Sequence, residues 1–526
     1  MKLKLSHIPL LALLGVIVAL LLYPFLNGAR STKALDAKSG AGDELRIDIF
    51  SPITSFNSGD NIPSSWTFLY PFIYNSLICF DYEGNIYPGI AEKWEYSDDF
   101  REWRIFLNRD VRFHNGRRLT AKDALFSVRD ALKKKPEVAE IVEQLGSPND
   151  YEIFFRLKSP SLQFFYELSM IDILPAPDGS KPPALPIGAG PFKCQGFDAR
   201  GRLILTAFDD YYAGKPRINR IVFNYVPDSE LIWYRLMLGE TDAAFRVPVK
   251  KHTLGDGKHF HIVNYAETFV DAIAYNNSNE LFRNSSVRKA LTMAIDREYL
   301  IRTYLNTDAS PAIGYFSPEA KPDDPDVKPL AYDPDAALAL LKACGWEDSN
   351  HDGYLDRNGK TFEFQLLIPD GDNVGAKIAR EIQLFFSEIG VVAHVRSMPM
   401  PAMVRECLQT GKWEAALLGL NNVRSGARVK SMWRSDPKGS MNFVNYSNSR
   451  IDRLLEEVDH TRNWADLRAL YGEIDAILRD DQPVSFLYQR KSFGVFANRI
   501  QGVDWDEADA PHELLRQLAK TYLGKQ

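Results

Sequence analysis

Oxygen-bearing side chains stand at alternating positions around a glycine in DSNHDGYLDRNGK, Asp348 to Lys360, the pattern with which a calcium loop surrounds its ion. In an EF-hand frame Asp348, Asn350 and Asp352 fill positions 1, 3 and 5, Gly353 position 6 and Asp356 position 9, but position 12, where a bidentate Glu closes the site, is Gly359. The following KTFEFQLLI alternates as a strand with Phe362, Phe364 and Leu366 on one face, so no exiting helix follows and the loop reads as a polar turn. His259 and His261, two apart in GKHFHIVNY, would share one face of a strand, which is half of a simple metal site. No third ligand accompanies them, and no metal is assigned. Four cysteines, Cys79, Cys194, Cys344 and Cys407, form no C-x-x-C pair; they read as small buried hydrophobes or one structural bridge of undetermined pairing. The chain lacks H-E-x-x-H, G-x-S-x-G and a phosphate-binding loop, so neither catalysis nor a cofactor is expected.

A fourth group points to binding. After the apolar run WEAALLGL the chain reads NNVRSGARVKSMWRS, with Asn421 and Asn422 followed by Arg424, Arg428, Lys430 and Arg434, and no Asp or Glu from Ala415 through Ser435. An ammonium entering a low-dielectric cleft needs a carboxylate partner, so this stretch suits a neutral or anionic ligand.

The elements that must position these residues alternate strand and helix. EWRIFLNRDVRFHNG sets Trp103, Ile105 and Leu107 on one strand face, then turns at Asn115-Gly116, where His114 reads as a surface turn residue. Thr120 and Asp123 form a capping-box-like start for a helix striped by Ala124, Leu125 and Val128. SSVRKALTMAIDREYLIRTYL reads as one helix with Val287, Ala290, Leu291, Ala294 and Ile295 on its apolar face. Asp333-Pro334 opens another helix that ends at Gly345; Ile378, Ile382, Phe385 and Ile389 stripe a further one that ends at Gly390, and VVAHVRSM follows as a strand. Ala415 to Leu420 reads as a buried parallel strand. The class is α/β.

Composition bounds the rest. The 526 residues, 45% apolar and 25% charged, are those of a folded chain of several domains. A net charge of -6 excludes nucleic acid as the expected partner. Lys2 and Lys4 precede an uncharged apolar run from Ile8 to Leu26, an export segment whose length lies between a long signal peptide and a membrane anchor. Residues 1–44 are therefore read as signal peptide or anchor plus linker, and the address as periplasmic, free or tethered.

YPGIAEKWEYSDDFREWRIFLNRDVRFHNGRRLTAKDALFSVRDAL (Tyr87 to Leu132) closely resembles the segment typical of type 5 extracellular solute-binding proteins, the peptide and nickel class that serves ABC importers. PIGAGPFKCQGF, DDYYAGKPRINRIVFNYVPD, LGETDAAF, AYNNSNELFRNSSVRKALTMAIDREYLI and the stretch from Asn448 to Phe496 match in family order, so the resemblance covers nearly all of residues 45–526. It implies a two-lobed clamp of the type II periplasmic-binding-protein kind, with lobe I at 45–85, 186–275 and 491–526, an extra subdomain of lobe I at 86–185, and lobe II at 276–490. The crossings are expected near Tyr275 and near Gln489. Closure on a small solute would present the clamp to an ABC permease in the inner membrane; the chain is expected to act as a monomer. A metal-complex cargo and an anchored ligand-sensing clamp are the alternatives.

Peptide-binding members of the resembling family hold the peptide amino group with an aspartate after the strand that here ends at Leu420, and this chain has none there. A modified peptide, opine-like compound, sugar derivative or carboxylate is the expected ligand. Phe56, Asn57 and Trp66 in lobe I, Asn276 beside the crossing, and Asn421, Asn422, Arg424 and Trp433 in lobe II are the expected contacts, aromatic residues in irregular polar stretches being suited to face a ligand. Gly188 and Gly190 of IGAGPF are expected to serve a tight backbone path.

Overall fold

The structure, a computed structural model, describes residues 44–523 apart from 50–51, 54–65, 81–85, 180–182, 246–258, 267–268, 306–308, 317–326, 422–425, 436–440, 506–516 and 518–521. Strand Val484–Ala497 runs through the middle of a 12-stranded sheet and is shared by its two halves. Its first half pairs with Phe269–Tyr275 on one side and Ala309–Pro311 on the other. Its second half pairs with Phe260–Ala266 and, across it, Ala243–Phe245. Beyond Phe269–Tyr275 come Ala415–Asn421, Glu363–Pro369 and Val392–Met398; beyond Ala243–Phe245 come Glu44–Ile49, Arg220–Tyr225, Leu203–Ala207 and Phe192–Phe197. The two halves are the sheets of two lobes.

Both faces of the lobe II half are covered, and the strand pleat divides its side chains between two cores. Ile273 and Tyr275 point to one core with Phe364, Leu366 and Ile368, while Val270, Ala272 and Ala274 point to the other with Leu367 and Trp433. Helix Asn373–Glu388 supplies Ile378, Ile382 and Phe385 to the first core, as its spacing requires. The expected single helix after Asn284 is two, Ser285–Met293 and Arg297–Tyr304: the Asp296 carboxylate accepts from the Tyr299 N–H (2.8 Å) and starts the second afresh. A separate four-stranded antiparallel sheet of Ala91–Tyr96, Glu102–Leu107, Glu152–Leu157 and Val142–Asn149 has its own core, in which Trp103, Ile105 and Leu107 lie on one buried face.

Strand pairing changes lobes between Ala266 and Phe269, and again between Tyr488 and Lys491. The second point lies where Gln489 was expected, but the first lies upstream of Tyr275. Tyr275 is buried deep in lobe II, with its hydroxyl 2.7 Å from Ser485 Oγ. The apolar FVDAIAY is a central strand of lobe II, so the chain has already crossed before it begins.

Buried charges brace each lobe. In lobe I, Asp242 of LGETDAAF accepts from Arg46 Nε and Nη2 (3.0 and 2.7 Å) and from Arg499 Nε (2.6 Å); these hydrogen bonds and charges outweigh burial and hold its carboxyl below the usual range. In lobe II, Arg288 donates only to carbonyls: Gln482 O at 2.9 Å, Phe282 O at 2.6 Å and Asp481 O at 2.7 Å. It thereby caps the end of helix Trp464–Asp481 and joins it to Ser285–Met293.

His114 is not a surface turn residue. Its Nδ1 accepts from the Gly188 N–H (3.3 Å) and its Nε2 donates to Gly190 O (3.0 Å), which ties the Asn115-Gly116 turn to IGAGPF. Gly188 has no alternative, because a Cβ there would meet Ile73 O at 1.9 Å. Burial, with Lys193 adding repulsion against the pull of the Gly190 carbonyl, pushes the His114 imidazolium down to about 4.

Replacing Arg288 with Met strands several buried carbonyls and is expected to cost about 3–5 kcal/mol in urea unfolding, with Arg288→Lys recovering only part because an ammonium lacks the planar fork. The neutral His114 belongs to the folded state, whereas the unfolded chain takes up that proton at a pH of about 6.5. Its contribution is complete above that pH and is lost as pH falls through about 4. The denaturation midpoint of the wild type is expected to fall across this window more steeply than that of His114→Gln.

Candidate functional site

The registers locate the cleft. In lobe II, Glu363–Pro369 and Ala415–Asn421 run parallel, and Asn421 lies opposite Phe269, the first residue after the crossing. In lobe I, Glu44–Ile49, Arg220–Tyr225 and Ala243–Phe245 are mutually parallel, and Phe245 lies opposite Gly494, close to the other crossing. The carboxyl ends of the parallel strands of both lobes thus converge on the crossover, the position at which open α/β sheets bind ligands.

At this edge of lobe II the side chains are charged. Arg490, on the long strand, forks onto Asp271, with Nε to Oδ2 at 3.0 Å and Nη2 to Oδ1 at 3.3 Å. Nη2 also stands 4.0 Å from Oδ2 of Asp372, whose Oδ1 caps helix Asn373–Glu388 by accepting from the N–H groups of Val374 (3.1 Å) and Gly375 (2.8 Å). Burial pushes the Asp271 carboxyl above its usual range in spite of Arg490, and Asp372 adds to the rise. Directly opposite Asp271 is Gly419, and the exposed ring of Phe269 lies beside it.

The expected contacts distribute differently. Asn276 is buried and fully engaged: its amide donates to Gly411 O (3.1 Å) and Trp413 O (3.0 Å), and its Oδ1 accepts from Ser278 Oγ (2.7 Å) and Asn445 Nδ2 (3.0 Å). It braces a corner of lobe II. Trp433 is 0% exposed, edge-on to Tyr315 at 5.1 Å in the lobe II core. It ends helix Gly426–Trp433, so an irregular-looking stretch is a helix whose apolar side is sealed. Asn421 does sit at the cleft edge, its backbone carbonyl accepting from the Tyr315 hydroxyl (2.6 Å). Trp66 opens helix Trp66–Ile73, but its side chain lies outside the described residues, as do Phe56, Asn57, Asn422 and Arg424. Of the other expected cations, Lys430 is paired with Asp459.

The metal candidates resolve into structure. Strand Phe260–Ala266 begins after His259, and His261 stacks on Trp505 at 4.4 Å. In the acidic loop Asp348 accepts from the N–H groups of Asp352 (3.0 Å) and Gly353 (3.1 Å), and Asp356 from Ser349 N (3.0 Å) and Oγ (2.6 Å). The carboxylates cap the backbone of a turn. Among the described residues no group of three or more His, Cys, Asp or Glu could hold a metal ion. No helix among them is long and apolar enough to cross a membrane; the run from Ile8 to Leu26 lies outside them.

Reasoning from sequence missed Asp271 and Arg490. The available signal was Asp271 inside the otherwise apolar FVDAIAY, where a strand interior would exclude a charge, and the adjacent cations Arg490 and Lys491 within FLYQRKSF.

Two lobes joined by a shared ribbon, with strand ends from both facing the junction, define a solute-binding clamp. The family model for bacterial extracellular solute-binding proteins, family 5, matches residues 85–439, and the chain belongs to that family. The oligopeptide-binding protein AppA of Bacillus subtilis is 27% identical, over 98% of this chain and 99% of that protein. The solved structure of AppA with a nonapeptide has a TM-score of 0.73 at 26% identity, covering 92% of this chain and 99% of that one. The dipeptide-binding protein of Escherichia coli is 26% identical over 84% of this chain and 88% of its own; the nickel-binding periplasmic protein of the same organism is 25% identical over 61% and 65%.

Asn276→Ala leaves the Gly411 and Trp413 carbonyls without donors, and is expected to lower stability by about 2 kcal/mol in equilibrium unfolding.

Proposed function

We propose that the protein is the substrate-binding component of an ABC importer, which captures a peptide-like solute between its lobes in the periplasm and delivers it to a membrane permease. The observation that carries this is the crossover ribbon. Val484–Ala497 pairs with Phe260–Ala266 in one lobe and with Phe269–Tyr275 in the other, and the strand ends of both lobes meet there. A solute bound there touches both lobes only in the closed arrangement, so it contributes differential affinity for that arrangement. Peptide is the favoured class because the likeness to the oligopeptide-binding relative runs the length of both proteins. The lysines and apolar run of the N-terminus support the periplasmic address.

Native mass spectrometry of the protein as purified is expected to show retained peptide mass that is released on denaturation. Calorimetric titration of stripped protein with synthetic peptides of two to nine residues is expected to give saturable binding. Absence of both signals overturns the peptide reading.

A further inference from the structure

The charges in the cleft-edge cluster of lobe II do not balance. Asp271 and Asp372 bring two carboxylates to a single guanidinium, that of Arg490. The side chains are 15%, 41% and 39% exposed, respectively, so this is a cluster open to the cleft and not a sealed ion pair. Both oxygens of Asp271 already face Arg490, and its carboxyl is still held above the usual range, so one positive charge does not offset its burial together with the repulsion from Asp372. Oδ2 of Asp372 stands 4.0 Å from that guanidinium, beyond direct hydrogen-bond reach.

There is also room. Gly419 pairs directly with Asp271, so the two residues look to the same side of the sheet, and Gly419 is exposed. A Cβ at Gly419 would meet nothing nearer than the ring of Phe269, at 3.6 Å, and that residue is 43% exposed. The result is a notch floored by glycine, walled on one side by an aromatic ring and on the other by two carboxylates with one cation between them.

We propose that Asp271, with Asp372 beside it, receives the ammonium group of the captured solute, while Phe269 packs against the apolar atoms next to that group. The inference deepens the peptide reading and rests on it. Arg490 is a positioning residue: it holds the Asp271 carboxylate in one orientation, while Asp372, whose Oδ1 caps helix Asn373–Glu388, keeps its Oδ2 beyond hydrogen-bond reach of the guanidinium. The acid missing after Leu420 is thus supplied from the neighbouring strand, just past the crossing, and the solute is one with a free amino group.

Calorimetric titration of the full chain with Ala-Ala-Ala and N-acetyl-Ala-Ala-Ala tests this. The free peptide is expected to bind at least about thirty-fold more tightly, since a buried charge pair lost at an interface costs several kcal/mol. Asp271→Asn is expected to remove that preference and leave the acetylated peptide within about three-fold of its wild-type affinity, the scale of a single neutral hydrogen bond. Gly419→Lys, which places a tethered ammonium in the same notch and keeps Asp271 as it is, is expected to lower the free peptide to the level of the acetylated one, and it decides the matter should Asp271→Asn fail to fold by thermal unfolding. Equal binding of both peptides by the wild type, or an undiminished preference in either variant, overturns the inference while the peptide reading stands. Failure of the wild type to prefer the free form at any peptide length from two to nine residues overturns the inference, and failure to bind peptides of any of these lengths, with no retained peptide mass, overturns both.

Discussion

The shared strand Val484–Ala497 is the constraint on which the rest of the architecture depends. Its backbone serves two sheets, and the successive strands Phe260–Ala266 and Phe269–Tyr275 pair with its two halves in the opposite direction, so an antiparallel ribbon joins the lobes. A ladder resists stretching and shear but bends where its register shifts, and one such shift lies between Asp271 and Ala272, beside the point at which pairing has passed to lobe II. The carboxyl ends of the parallel strands lie close to the place where pairing passes from one lobe to the other. Asp271 and Arg490 sit one on each crossing strand, next to the place where pairing passes between the lobes.

Elsewhere, buried polarity is committed inside each lobe. Asp242 takes two arginines and locks the start of Glu44–Ile49 to the end of the long strand. Arg288 is consumed by the carbonyls of a helix end, and burial lowers it to about 10, which leaves it charged at neutral pH. These groups are engaged on every side and have nothing left for a ligand. The cluster at Asp271 differs in kind, because it is partly exposed and holds more negative than positive charge.

Periodicity made the scaffold legible. The alternation of Trp103, Ile105 and Leu107 and the stripe of Ile378, Ile382 and Phe385 each require burial on one side, and each has it. The break at Asp296 was hidden because the apolar stripe continues across it, and a cap is detected by its hydrogen bond rather than by spacing. The site was less legible, for a physical reason. Asn276 and Trp433 resemble ligand contacts in composition, but their partners, Gly411, Trp413 and Tyr315, come from distant parts of the chain. Asp271 pairs with Arg490, far away along the chain, and only the sheet register reveals that it faces a glycine.

That register also changes the chemistry expected of the cargo. A cationic stretch after Leu420 argued for a neutral or anionic solute, but Lys430 belongs to Asp459, and the cluster at the strand ends has the opposite sign. Where the acid sits matters as much as its presence. A carboxylate on a loop must be ordered when the ligand binds, whereas Asp271 is held by a strand ladder on both sides and by a forked guanidinium. The entropy of fixing it has been met in folding, so more of the electrostatic gain from an incoming ammonium remains as affinity. The same rigidity makes the site selective: a solute without that group leaves two carboxylates facing one cation, and binding then lacks the interaction that the ribbon is built to hold in place.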